Sequence, residues 1–330
     1  MNIIVDGMGG DNAPKEIVKG CVDAVNQLDV KIIIVGKEDI IGEELNKYEY
    51  PRKSIDILNA TQIISNSEEP SFAIRRKKDS SIVIGLKALK EMDGDAFVSA
   101  GSTGALLAGG LFIVKRIRGI ERAALASIYP TIRGRSFLLD IGANVDCKPE
   151  YLNQFATMGS IYCEKVLGID KPTVGLANIG IEKGKGNTLV KESYELIKKS
   201  GVNFIGNVEA RDIPEGAVDV VVCDGFVGNI MLKLTEGMAV SLFASLKEEF
   251  TKTFTSKMGA LILKPSLKSF KEKLDYREYG GAPLLGLSQP VIKAHGSSDA
   301  LAIKNAIRQA KIFVNNDIIS IIERNIDKKL

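Results

Sequence analysis

The sequence predicts an α/β protein built on a doubly wound, mostly parallel sheet with an inserted helical hairpin. Three observations carry this expectation. A short β-branched run, a loop of Gly, Asn, Asp or Ser, and a helical pattern recur in that order from end to end; strands separated by helices pair in parallel through right-handed crossovers. The runs FLLD at 137–140 and VVVC at 220–223 are continuously apolar, as in strands covered on both faces. The stretch 235–280 breaks this rhythm with two helical stripes.

The first unit is Ile3–Asp6, followed by GMGGDNAP, with Pro14 suited to a helix's first turn. Ala96–Ser99 then leads to AGSTGA and a helix from about Ala105, and Phe137–Asp140 leads to IGANVDCKPE. Thr173–Asn178 leads to IGIEKGKGN and a helix near Thr188. Asp219–Cys223 leads to DGFVGN, and Val291–Lys293 to AHGSSD before a helix near Asp299. Between the last two units, Ala239, Leu242, Phe243, Leu246, Phe250 and Phe254 recur every three or four residues as one stripe. The apolar run Met258–Leu263 precedes Pro265, and Leu267, Phe270 and Leu274 make a second stripe. The expected organisation is one α/β domain over residues 1–330, with a hairpin inserted at 235–280 and its apolar tip at 258–263. No internal repeat or low-complexity linker marks a boundary.

Composition narrows the functions. Hydrophobic residues are 45% and charged residues 26%, an ordinary soluble mixture. A net charge of +3, 6% aromatics and no Trp argue against nucleic acid as a partner. Cys21, Cys147, Cys163 and Cys223 form no CxxC pair, and His295 is the only histidine, so ligands for a structural zinc are lacking. The chain reads as reduced and cytosolic. Met1 runs straight into a strand, leaving no room for a signal peptide, and no apolar run approaches the length of a membrane span.

In doubly wound sheets, ligands bind beyond the carboxyl ends of the strands, where these loops sit. Each loop offers backbone N–H groups at a helix N-terminus, a setting that favours an anion. Neither GMGGDN nor IGIEKGKGN fits a dinucleotide fingerprint, and no GxxxxGK[ST] loop is present. The same reading sets Asp6, Asp140 and Asp224 on one sheet edge. They either orient donors or hold a divalent cation, and orientation is the expectation adopted.

Nine segments, in order, resemble the bacterial phosphate acyltransferases: VDGMGGDNAP, RRKKDSS, SAGSTGALLAGGLF, LDIGANVDCKPE, NIGIEKGKGN, FIGNVEARDI, CDGFVGNIMLK, YGGAPLLG and VIKAHGSSDA. The resemblance spans positions 5 to 300. Gly7 stands where many relatives carry Ala, and Gly184 inside the lysine loop leaves Lys185 as the matching lysine. The resemblance implies a fold related to phosphotransacetylases and isocitrate-type dehydrogenases, and a homodimer. It also implies attack of inorganic phosphate on acyl-acyl-carrier protein, giving acyl phosphate for phospholipid synthesis with no cofactor. A metal- and nicotinamide-dependent oxidative decarboxylase and a non-catalytic lipid- or carrier-binding scaffold are the alternatives.

Phosphate is itself the nucleophile in such a reaction. The protein must hold it in line with the thioester carbonyl and stabilise the developing oxyanion. Lys185, on a glycine-flanked loop, is a candidate to neutralise phosphate or the oxyanion, or else a solvated lysine. Asn229 is a candidate oxyanion donor, with helix capping as the alternative. His295, Gly296, Ser297 and Ser298 are candidate phosphate ligands, with His295 assigned to binding before acid catalysis; a packed loop residue at His295 and a capping role for Ser298 are the alternatives. Ser102, Thr103 and Gly104 are further phosphate candidates, again with capping as the alternative. Gly9, Gly10, Asn144 and Gly228 complete the binding set.

The basic run Arg75, Arg76, Lys77 and Lys78 is a candidate docking site for an acidic carrier protein, or else a solvated helix start. Met258, Leu261, Ile262 and Leu263 are candidate membrane contacts. From Lys257 to Arg277 there are six basic and two acidic residues, a local net of 6 − 2 = +4, which suits an anionic bilayer. Packing of this tip on a dimer partner or on the core is the alternative. The expected location is the cytoplasm, peripherally associated with the inner face of the membrane, where a membrane-bound acyltransferase takes the product.

Overall fold

In the computed structural model, which describes residues 1–273 and 280–327, one sheet of eleven strands runs through the protein. The strands are β1 (Asn2–Asp6), β2 (Lys31–Gly36), β3 (Ile55–Asn59), β4 (Ala96–Ser99), β5 (Ala124–Thr131), β6 (Gly134–Leu139), β7 (Thr173–Asn178), β8 (Asn203–Glu209), β9 (Val220–Val222), β10 (Ala282–Leu285) and β11 (Val291–Lys293). Their order across the sheet is β3-β2-β1-β4-β11-β10-β5-β6-β9-β7-β8. The helices are α1 (Lys15–Gln27), α2 (Glu38–Leu45), α3 (Pro70–Arg76), α4 (Ser81–Lys90), α5 (Thr103–Gly109), α6 (Pro149–Lys165), α7 (Thr188–Lys199), α8 (Gly225–Thr251), α9 (Phe254–Lys273), α10 (Ala300–Asn315) and α11 (Ile318–Asp327).

The sheet is parallel on both sides of a central seam. At β11–β10–β5–β6 the pairings are antiparallel, which leaves β6, β9, β7 and β8 running against β1, β2, β3, β4 and β11. The expectation that Asp6, Asp140 and Asp224 share one sheet edge is therefore corrected. Asp6 ends a strand of one sense, whereas Asp140 and Asp224 follow strands of the other.

Helices cover both faces, and the continuous apolar strands are buried as expected. Residues of α1 and α10 pack on β1, β2 and β4, while α4 and α5 cover the opposite face. In the other half, Phe137 stacks on Tyr162 of α6 with ring centroids 4.3 Å apart. The Tyr162 hydroxyl accepts from Gln309 Nε2 of α10 at 2.6 Å, tying the halves together through a buried polar contact.

Two further corrections concern the hairpin. Its first helix starts at Gly225, directly after β9, rather than near Thr235. The turn falls at 252–253, because Thr253 Oγ1 accepts from Ser256 N at 3.1 Å and so caps the start of α9. Phe254 and Met258–Leu263 thus lie in the first half of α9 instead of joining two helices, and Pro265 sits inside α9. Leu274 lies outside the described residues. In addition, α8 is long and apolar enough to cross a membrane by length and composition, contrary to the expectation that no segment approaches such a span. Its first turns pack on the sheet and carry Lys233 and Glu236, an ion pair at 2.7 Å.

Candidate functional site

Three glycine loops meet beyond the adjacent ends of β1, β4 and β11. Asp6 is fully buried and accepts from Ser99 Oγ at 2.7 Å and Met8 N at 3.2 Å. Burial pushes its carboxyl above the usual range, and those donors oppose the shift. Gly10 adopts φ +104°, and a Cβ there would stand 3.0 Å from Gly296 O; only glycine fits this turn without strain. Asp11 N donates to Gly296 O at 2.8 Å, and Asn12 Nδ2 donates to the carbonyls of Ser297 and Ser298. The first and last loops of the chain are thereby locked together.

Gly9, Gly10, Ser102, Thr103, Gly104, His295, Gly296, Ser297 and Ser298 thus gather in one cluster. Their roles divide. Ser102 Oγ accepts from Ala105 N at 3.4 Å, so its side chain caps α5. Ser298 is not the cap of α10, because Asp299 fills that role by accepting from Ala302 N at 2.9 Å. The Ser298 hydroxyl is buried and finds no hydrogen-bond partner among the described residues, which leaves it available to a ligand. His295 Nδ1 accepts from Ser297 N at 3.3 Å and lies 2.8 Å from Ser297 Oγ. The proton therefore belongs on Nε2. Burial holds the imidazole below its ordinary pKa, which favours a neutral donor at neutral pH.

A second cluster surrounds the loop after β6. Asp140 accepts from the backbone N–H groups of Leu125, Gly142, Ala143 and Asn144. The Asn144 amide nitrogen donates to Asp140 Oδ2 at 2.9 Å and to Ala123 O at 2.8 Å. Its N–H groups are committed to the scaffold, so the structure gives Asn144 an orienting rather than a ligand-donating position. Gly228 seats α8 on this loop, since a Cβ there would stand 1.9 Å from Asp140 O.

Asp224 caps α8 by accepting from Val227 N at 2.8 Å. Asn229 is accordingly inside the helix and exposed, with Gly142 beside its amide. The capping alternative for Asn229 is removed. Lys185 stands on the loop after β7, the strand next to β9. Asn178 Nδ2 holds its backbone carbonyl at 3.1 Å, while the side chain is exposed. No hydrogen bond or ion pair among the described residues joins Lys185 to either cluster.

Helix α8 bridges the clusters. Asn229 lies against the second, and one turn later Lys233 and Glu236 come close enough to bias the charge on His295. Sequence reasoning missed this pair, and it missed Lys293. The latter is 8% exposed, and its ammonium donates to the carbonyls of Ala100 (3.3 Å) and Ala294. A lysine at the end of the apolar run VIK was the available signal. No group of three His, Cys, Asp or Glu side chains among the described residues is placed to hold a metal. Burial pushes the Cys147 thiol up to about 12 and the Cys223 thiol well above its usual value, so neither is a ready nucleophile.

The basic run lies at the end of α3, not at a helix start. Arg75 stacks on Phe112 and Arg76 on Phe72, at 5.1 and 4.6 Å from the ring centroids. Lys77 is committed to Glu68 at 2.8 Å and to Ile63 O at 2.7 Å, whereas Lys78 is exposed. Pro70, which opens α3, touches Gly104 of the first cluster. Met258, Leu261, Ile262 and Leu263 are all exposed on α9.

The family described as "Fatty acid synthesis protein" matches residues 1–321. The phosphate acyltransferase of Alkaliphilus oremlandii is 56% identical over 326 residues, covering 99% of this chain and 97% of that one. A phosphotransacetylase from Streptococcus pyogenes shares the fold at TM-score 0.64 and 18% identity, covering 95% of this chain and 94% of that one. A 4-hydroxythreonine-4-phosphate dehydrogenase from Klebsiella pneumoniae does so at 0.52 and 15%, covering 95% and 99%.

Proposed function

The chain belongs to the fatty acid synthesis protein family, and on that premise we infer that it is a phosphate acyltransferase, moving a fatty acyl group from acyl-acyl-carrier protein onto inorganic phosphate. The structural observation that carries this reading is the buried Ser298 hydroxyl among three glycine loops, which has no hydrogen-bond partner among the described residues. Phosphate sits there, against Ser298, the loop N–H groups and His295 Nε2–H. One of its oxygens attacks the thioester carbon, a C–O bond forms, and the C–S bond breaks as the carrier thiolate leaves. Asn229 and Lys185 are assigned to the oxyanion, as donors that stabilise it in the transition state. Likeness to a dehydrogenase at 15% identity concerns the fold alone, and the decarboxylase alternative is not favoured.

Incubation with acyl-acyl-carrier protein, phosphate and hydroxylamine tests the assignment. Thioesters react slowly with hydroxylamine on their own, so the readout is the extra acyl hydroxamate that forms only with protein and phosphate both present. Its absence removes the function and leaves a carrier- or lipid-binding scaffold.

The carrier docks on the patch of Arg75, Arg76 and Lys78, beside Phe72 and Phe112. Guanidinium–ring stacking holds the charges in place, and Pro70 links the patch to the first cluster. Charge reversal of Arg75 and Arg76 raises the carrier KM about tenfold at low ionic strength, and salt narrows the difference. The phosphate KM stays put. An unchanged carrier KM at low salt discards this docking site.

The protein acts as a homodimer in the cytoplasm, peripherally associated with the membrane, where a membrane-bound acyltransferase takes the acyl phosphate. Exposed Met258, Leu261, Ile262 and Leu263 near the hairpin tip, in a segment of net charge +4, support contact with an anionic bilayer. Replacing Leu261, Ile262 and Leu263 with Ser abolishes sedimentation with anionic liposomes while dimer mass and soluble turnover persist. A variant that falls to monomers or misfolds makes the tip structural and ends the membrane assignment.

A further inference from the structure

We propose that Lys293 is a positioning residue for phosphate, a buried cation that sets two of the three binding loops and supplies their positive potential. This deepens the reading of the first cluster as the phosphate site and rests on it. The Lys293 ammonium donates to Ala100 O and Ala294 O. These are the residues by which β4 and β11 enter AGSTG and AHGSS, so one cation fixes both loops. The third loop is held by the buried carboxyl of Asp6, which accepts from Ser99 Oγ and from Met8 N. Together they form a buried polar staple beneath three adjacent strand ends. The Ser298 hydroxyl, with no hydrogen-bond partner among the described residues, lies on the loop that Lys293 sets.

A buried lysine needs a reason, because desolvation disfavours its charge. Two carbonyls and the nearby Asp6 and Asp11 offset only part of that cost, and Lys233 adds repulsion. A dianion above the loops completes the balance. Around the ammonium stand Asp6 from β1, Asp11 from the first loop, Lys233 from α8 and His295 from its own loop. With the ammonium pushed down to about 8 by burial, its charge is present at neutral pH and lost as pH rises through that value. Inorganic phosphate only becomes more fully dianionic as pH rises, so a fall in affinity reports the protein.

Phosphate binding to the full protein, measured by calorimetry without the carrier substrate, tests the proposal. In the wild type the dissociation constant for phosphate rises roughly tenfold from pH 7.5 to 9. Lys293→Met weakens binding about tenfold at pH 7.5, flattens the pH profile, and leaves the carrier KM unchanged. A wild-type profile flat across this range overturns the proposal whether or not the variant folds. So does a folded Lys293→Met protein that binds phosphate like wild type or keeps the same profile. If acyl transfer proceeds in that case, the function stands without this role. If phosphate binds as described but no acyl hydroxamate forms, the role stands and the function fails.

Discussion

Lys185→Ala lowers turnover roughly 100- to 1,000-fold, the cost of about 2.7–4 kcal/mol for losing an oxyanion donor. The fold survives, because the structure uses the Lys185 backbone carbonyl, held by Asn178, and leaves the side chain exposed. Its neighbour Lys183 is instead paired with Glu195 at 2.6 Å, so Lys183→Ala is the matched control and loses little. Steady-state kinetics with acyl-acyl-carrier protein and a thermal melt decide the matter. An interaction made only in the transition state lowers kcat and kcat/KM together. Near-normal turnover in a folded Lys185→Ala protein rules the role out.

Gly228→Ala has the second large effect. Its new Cβ would stand 1.9 Å from Asp140 O and 2.9 Å from Cys223 Sγ. The nearer atom belongs to the backbone, so no side-chain rotation relieves the clash and α8 must move. Overpacking of this kind costs about 1–3 kcal/mol. A shift of about 1 Å at the adjoining Asn229 is enough for roughly 100-fold in rate. Gly237→Ala on the same helix meets nothing within 4 Å and is expected to raise helix stability by up to about 1 kcal/mol. A Gly228→Ala protein with wild-type melting temperature and turnover would show that α8 is not seated by this contact.

Part of the helical framework was legible in the sequence because it is local. Thr188, Asp299 and the strand runs at 96–99, 137–140 and 291–293 announce themselves through period, capping and glycine punctuation. The reversal of the sheet was not legible. It depends on β5 and β10, and the antiparallel sense of APLL at 282–285 is fixed by its neighbours rather than by its residues. The hairpin turn was misplaced because Pro265 reads as a breaker, whereas the Thr253 cap decides where α9 begins.

At the site, glycine loops pointed to segments that the fold brings together but not to the commitments of individual side chains. Ser102 and Ser298 look alike in sequence, yet one caps a helix and the other has no hydrogen-bond partner among the described residues. Lys293 was overlooked because an apolar strand hides its one charge, and Lys233 because only the path of α8 brings it near His295.

The place of β11 and α10 has a bearing on how the protein is made. Residue 100 leaves the ribosome long before residue 315, and β4 has no partner on one side until β11 arrives. The face of α1 that receives α10 waits equally long. At about 5–20 residues per second, that interval lasts roughly 10 to 40 seconds. The N-terminal half therefore cannot mature as an independent unit during translation. For that time the nascent chain carries an open strand edge and an uncovered apolar helix face, the features that recruit chaperones or seed aggregation.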